Sequence, residues 1–166
     1  MDKPVQNKFT PKGKVKQLAA SIIHPENAGL RFIVNIVGQS GKFESKLGLF
    51  LAKRWGKVRE DYKSWFAGQQ NFKLGSINTS SVASDTWIVH LLCEDKAGEV
   101  SESSLDSAVK KLGALAKYEH ASVHISTLLT DAYPTLMTSL TKHLTDEGVN
   151  FNLYSKEATD AASKAE

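Results

Sequence analysis

LRFIVNIVGQSGKFESKLGLFLAKRWGKVREDYKSWF, residues 30–66, passes from an apolar stretch through a polar turn into a helical pattern. Phe32 to Val37 is apolar and rich in β-branched residues, interrupted only by Asn35. Such a run fits a strand buried on both faces of a parallel sheet, where crossover helices cover both sides. Gly38-Gln39-Ser40-Gly41-Lys42 follows as a loop, and Leu47, Leu51, Trp55, Val58, Tyr62 and Trp65 then recur at helical spacing. A loop at the carboxyl end of a strand, leading into a helix N-terminus, presents backbone N–H groups to an anion. The unit therefore marks a candidate nucleotide-binding edge. Many strand–loop–helix units bind nothing, so the pattern locates a search without naming a ligand.

Upstream, Val15–Ala19 is a short strand candidate and residues 24–29 (HPENAG) are turn chemistry. Downstream, Gly56 interrupts the helix that begins at Lys46, since a mid-helix glycine costs about 1 kcal/mol relative to alanine. The charges Lys53, Arg54, Lys57, Arg59, Glu60, Asp61 and Lys63 lie off the apolar stripe and read as a solvated face. Trp55, Tyr62 and Trp65 stand at core spacing. Lys73–Val82 reads as a strand near a sheet edge, and Trp87–Cys93 as a second buried strand with a core histidine, His90. Ser103 and Asp106 resemble a capping box before an amphipathic helix carrying Leu105, Val109, Leu112 and Leu115. Ala121–Leu128 alternates as a strand, and a helix is expected from Thr130 through Leu144, stopped at Gly148. Val149–Tyr154 reads as a last strand with one wet face. The order predicts an α/β domain over residues 13–155: three α/β/α layers with a mixed central sheet. A flexible segment over 1–12 precedes it and a disordered tail over 156–166 follows.

The chain has 166 residues, a size for one domain, and a formal net charge of +3, which permits a polyanion but does not indicate one. No apolar run reaches the length of a membrane span and no signal-peptide core is visible, so membrane association is not expected. Cys93 is the single cysteine and sits in an apolar run, which fits a reducing compartment; a cytoplasmic location is the expectation. There is no Walker phosphate loop, GxGxxG, CxxC, HExxH or GxSxG, and neither a metal nor a cofactor is expected. His90, His124, Ser126 and Asp131 contain the residue types of a triad, but such sets arise by chance, and geometry rather than composition defines one.

Several short segments resemble the macro domain family, which binds ADP-ribose, and most closely its ADP-ribosyl-glycohydrolase branch. The resemblance spans Lys14 to Tyr154. Ile33-Val34-Asn35 is similar to the start of the family's VNxxN strand end. Leu51-Ala52-Lys53-Arg54-Trp55-Gly56 is similar to the end of the helix after its glycine-rich loop, and Tyr62 to a tyrosine that follows. Lys73-Leu74-Gly75, Trp87-Ile88-Val89, Ser104 and Phe151-Asn152-Leu153-Tyr154 resemble later turns and strands, and Tyr133 falls where the branch usually has Trp.

The departures from the family pattern fall on the binding loops. Gly38 replaces the second Asn of VNxxN, and Glu44-Ser45-Lys46-Leu47-Gly48 replaces the phosphate-cradling GxGxA. Gln17 stands for the adenine-holding Asp. Thr127-Leu128-Leu129-Thr130-Asp131-Ala132 replaces the second glycine-rich loop, and Cys93-Glu94 stands where the branch has Lys, with Lys96 two positions on. The resemblance implies a ligand over Asn35, Gly38, Gln39, Ser40, Gly41, Lys42, Lys46, Thr127, Asp131 and Tyr133. That ligand is an ADP-ribose-like nucleotide or an ADP-ribosylated macromolecule, bound weakly because Glu44 repels a diphosphate. If the chain is an enzyme, the resemblance implies an ADP-ribosyl hydrolase with Asp131 as the candidate catalytic carboxylate. The alternative is a non-catalytic interaction module for protein or nucleic acid that kept the fold and lost the nucleotide.

Overall fold

The computed structural model describes residues 12–25 and 28–155; the expected flexible segment, apart from Lys12, and the expected tail lie outside them. The strands are β1 (Val15–Leu18), β2 (Arg31–Gly38), β3 (Ile77–Ala83), β4 (Thr86–Glu94), β5 (Ser122–Ser126) and β6 (Phe151–Tyr154). The helices are α1 (Lys46–Arg54), α2 (Lys57–Gly68), α3 (Glu102–Glu119), α4 (Thr127–Ala132) and α5 (Leu136–His143), followed by a 3-10 turn at Thr145–Glu147. One six-stranded sheet has the order β1-β6-β5-β2-β4-β3. All neighbours are parallel except β3, which pairs antiparallel with β4 at the edge.

The two faces of the sheet differ in chemistry. Cys93 lies against the Ser104 carbonyl of α3, so the face carrying Val89, Leu91 and Cys93 packs under α3. That layer is apolar, with Phe32, Val34, Val123 and Phe151 fully buried. α5 docks on α3 where Gly113 meets the His143 carbonyl; a Cβ there would lie 2.3 Å from that oxygen. Asp106 locks the contact, accepting from Ser139 Oγ at 2.9 Å and from His143 Nε2 at 3.0 Å.

The opposite face, under α1 and α2, holds a buried polar seam. His90 Nε2 meets Ser80 Oγ at 3.1 Å and its Nδ1 meets the Asn35 amide at 3.4 Å. Two strands away, His124 Nε2 meets Ser122 Oγ at 2.7 Å and its Nδ1 meets Tyr154 Oη at 2.8 Å. Burial holds both imidazoles neutral, with their pKa values down at about 4; the nearby positive charge of Arg31 adds to the effect at His124.

Val34 and Val89 are deeply buried, and the helix break at Gly56 falls between α1 and α2. Other expectations are corrected. The α3 N-cap is Ser101, whose hydroxyl accepts from Ser104 N–H at 3.1 Å, not Ser103. β3 starts at Ile77, because Gly75 turns the chain at φ +90°. The expected single helix after β5 is two, α4 and α5, since Pro134 holds Tyr133 in an extended conformation. β6 has no wet face: it lies between β1 and β5, and all four of its residues are buried.

Candidate functional site

Because β1, β6, β5, β2 and β4 run parallel, their carboxyl ends share one rim. Gly38, Glu94 and Ser126 end three of these strands there. The Gly38–Lys42 loop is staked to α2. The Tyr62 hydroxyl donates to the Gly38 carbonyl at 2.5 Å and accepts from Gly41 N–H at 3.1 Å. Lys63 Nζ donates to the Gly41 carbonyl at 2.6 Å. Gly41 sits at φ +86°, and a Cβ there would lie 2.7 Å from the Phe66 ring, so only glycine fits. Burial, the largest influence on it, pushes the Tyr62 phenol above its ordinary pKa and keeps it a neutral hydroxyl able to both donate and accept.

This staking occupies the loop's donors. Gln39 N–H donates to the Glu94 carbonyl at 2.9 Å and Lys42 N–H to Ser40 Oγ at 3.2 Å, so with Gly41 three loop amides are already engaged. The expectation that loop N–H groups meet an anion is corrected at those three positions. At the other wall, Thr127–Ala132, expected in place of a glycine-rich loop, is the helix α4. Its N-cap Ser126 takes the Leu128 N–H at 3.1 Å, and β5 runs into it without a linker.

Glu94 ends β4, beside the end of β2 on this rim. Its side chain lies over Gly38, where a Cβ would come within 3.0 Å of Oε1. Burial raises the Glu94 pKa first; the nearby Tyr133 hydroxyl opposes this, and the charges of Asp95 and Glu44 raise it further. Tyr133 is pushed up to about 12 by burial and then by the Glu94 charge. Beside Gly38 the rim thus carries a half-buried carboxyl, with the charges of Asp95 and Glu44 acting on it.

Gly38 lies against this side chain and Gln39 N–H bonds the Glu94 carbonyl; Gln39 and Tyr133 are half-buried, and Ser40 and Lys42 are exposed. Lys46 is exposed in the first turn of α1, Thr127 is half-buried at the start of α4, and Asp131 is exposed in α4. Asn35 does not belong to an open site: it is fully buried in mid-strand with its amide on His90, and its Oδ1 finds no partner among the described residues. The triad types do not converge, because His90 and His124 spend their ring nitrogens on Asn35, Ser80, Ser122 and Tyr154. Sequence reading placed Tyr62 with the core and Lys63 with the solvated face, although both hold the loop. No group of metal-ligating side chains occurs among the described residues. A separate cleft of about 560 Å³ opens between α2 and β3, lined by Lys57, Asp61, Trp65, Asn78 and Thr79 among others; none of the predicted site residues lines it.

The architecture has close counterparts among solved structures. A macrodomain protein from Streptomyces coelicolor superposes with a TM-score of 0.79, at 17% identity, over 85% of this chain and 98% of its own. The chain has the macrodomain fold. The macrodomain of Mycobacterium tuberculosis DarG matches at a TM-score of 0.65 and 14% identity, over 86% of this chain and 97% of that one. Thermosipho africanus DarTG, a structure in complex with ADP-ribose, matches at a TM-score of 0.61 and 12% identity, over 76% of this chain and 38% of its own. No protein-family model and no curated protein matches the sequence. The α/β expectation, with a mixed sheet between helices, holds. No helix among the described residues is long and apolar enough to cross a membrane.

Proposed function

We propose that this divergent macrodomain binds an ADP-ribose-type nucleotide, or a macromolecule carrying ADP-ribose, on the rim formed by Gly38–Lys42, Glu94 and Tyr133. The observation that carries this reading is the fold match over most of the chain, which includes a neighbour solved with ADP-ribose. Strand ends meet at a rim in this fold class, and ligands bind at such rims. Three loop amides are already engaged, so side-chain charge must meet the phosphates. Lys42 is exposed and has no carboxylate partner among the described residues. Lys46 stands one turn of chain away, on α1. Glu44 and Glu94 oppose the anion, so binding is weak, in the high micromolar range or above, roughly −5 kcal/mol. Calorimetry at low salt tests this. ADP-ribose should give measurable heat, and replacing Lys42 and Lys46 by alanine should weaken binding and flatten its salt dependence. No binding to the unmodified protein refutes the reading.

A second reading, a protein- or nucleic-acid-binding module, is favoured by one specific observation. α4 stands in place of a glycine-rich loop, and Glu94 covers Gly38. Short oligonucleotides in the same titration series separate the two readings. If the protein turns over an ADP-ribosyl bond, Asp131→Ala tests the candidate carboxylate.

A further inference from the structure

We propose that the open edge of β3, with the cleft beside it, is a docking surface for an extended segment of another protein that carries a basic side chain. The inference concerns a surface apart from the rim and does not depend on a nucleotide binding there. Among the described residues β3 pairs only with β4, at the end of the sheet. Leu92 N–H bonds the Ser76 carbonyl, and backbone groups alternate in direction along an antiparallel pair. Asn78 and Ser80 therefore turn theirs toward β4, while Ile77, Thr79 and Ser81 turn theirs to the open side. The Thr79 N–H agrees with this: it donates to Asn78 Oδ1 at 3.0 Å, an acceptor standing in for the carbonyl of a further strand. Unpaired sheet edges are commonly guarded by charged residues or proline, and β3 (INTSSVA) has neither. The bulge between Ser81 and Ala83 limits regular pairing to the stretch from Ile77 to Ser81.

What fits such an edge follows from its spacing. Its donors and acceptors recur about every 7 Å, which is the two-residue repeat of an extended polypeptide. A chain added there gains main-chain hydrogen bonds and sends alternate side chains to the two faces of the sheet. One of these faces, the one shared by Asn78 and its cross-strand neighbour His90, meets the cleft of about 560 Å³ between β3 and α2. The cleft has room for a long side chain, and Asp61 decides which kind. Asp61 Oδ2 accepts from Lys57 Nζ at 2.7 Å, and its Oδ1 has no bonding partner among the described residues. Asp61 is the deeper partner of that pair, with its side chain 27% exposed against 53% for Lys57. The charge held in the cleft is thus the carboxylate, with the lysine reaching it from outside. Lysine and arginine side chains bring only donors and a positive charge, which is what the free oxygen lacks. An acidic side chain would set a like charge beside Asp61.

The test selects binders to the full chain from a random seven-residue peptide library displayed on phage, then maps them as blocked synthetic peptides by amide NMR. Selected peptides should carry a lysine or arginine among β-branched residues. They should shift the amides of Ile77, Thr79 and Ser81 and the Trp65 indole N–H, and leave the Gly38–Lys42 amides in place. Thr79→Pro removes one N–H from the open side, a position where an edge strand tolerates proline, and should weaken these peptides about tenfold or more. Asp61→Asn keeps the shape and removes the charge. It should weaken them about tenfold at low salt, while a peptide with glutamine in place of the basic residue binds both proteins alike. That variant keeps the proposal testable if Thr79→Pro does not fold. The inference is overturned if no peptide is enriched, if the enriched peptides shift the Gly38–Lys42 amides instead, or if either folded variant binds them as wild type does. A wild type that dimerises while Thr79→Pro stays monomeric would put a second copy of the chain on this edge and overturn it equally. ADP-ribose titrations report on the rim alone, so either reading can fail while the other stands.

Discussion

Lowering the pH from 7 to 5 should remove about 4 kcal/mol of folding stability through two imidazoles alone. His90 and His124 are ordinary histidines in the unfolded chain, with pKa 6.5, and are held down to about 4 in the fold, mainly by burial. As the pH falls through 6.5 the unfolded chain takes up a proton at each, and the folded protein does not until about 4. The unfolded state therefore binds more protons across this window, and stability falls with pH. For a shift of this size the loss between pH 7 and 5 is about 2 kcal/mol per group. Two such groups take a large share of the roughly 5–15 kcal/mol that stabilises a domain. Glu94 works the other way, since its folded carboxyl is raised and gains by protonation, so the measurement is cleanest in Glu94→Gln. Urea unfolding at pH 7, 6 and 5 reads the effect, and proton NMR of the imidazoles reads its cause. His90→Asn should be less stable at pH 7 and lose stability about half as steeply. Imidazoles that titrate near pH 6.5 in the folded protein, or a urea midpoint that does not move between pH 7 and 5, would refute the reasoning.

Two further outcomes follow from the site and the core. Tyr62→Phe removes both hydrogen bonds to the Gly38–Lys42 loop and should cost about 1–3 kcal/mol while speeding amide exchange at Gly41; unchanged exchange at Gly41 would show that Lys63 and Phe66 alone hold the loop. Cys93 is fully buried, and burial pushes its thiol up to about 12, so iodoacetamide should label it only as fast as the protein unfolds. Prompt labelling in native buffer would place the thiol at the surface.

The strands were legible where burial on both faces leaves a continuous apolar run, as at Phe32–Val37 and Trp87–Cys93. β6 was legible as a strand but not in its surroundings. Alternation reports polarity, and Asn152 and Tyr154 face another polar group, His124, rather than water. The α3 cap was missed because Ser101, Ser103 and Ser104 stand close together, and only geometry shows which hydroxyl reaches a free N–H. That parallel strands end along one edge was legible from the buried runs and the turns that follow them. The wiring of that edge was not, because Tyr62 occurs at the same spacing as residues that only pack, and Lys63 looks like any solvated charge. Asn35 was misplaced for the complementary reason: a lone polar residue in an apolar strand marks either a ligand contact or a buried partner, and here the partner is His90.

The polar seam also bears on how the chain finds its strand register. Four of the sheet's five pairings are parallel and join distant segments, which makes assembly slow and leaves room for mispairing. Apolar strands tolerate a slipped register poorly when one face is wet, but here both faces are dry, so hydrophobicity alone distinguishes the alternatives less well. A one-residue slip of β4 or β5 would turn His90 or His124 into the apolar layer beneath α3, away from Ser80, Asn35 and Tyr154. Each misplaced imidazole would be buried without partners, a cost of about 1–3 kcal/mol. The seam thus acts as a proofreading key for sheet assembly, making mispaired sheets easier to undo before the helices close over them.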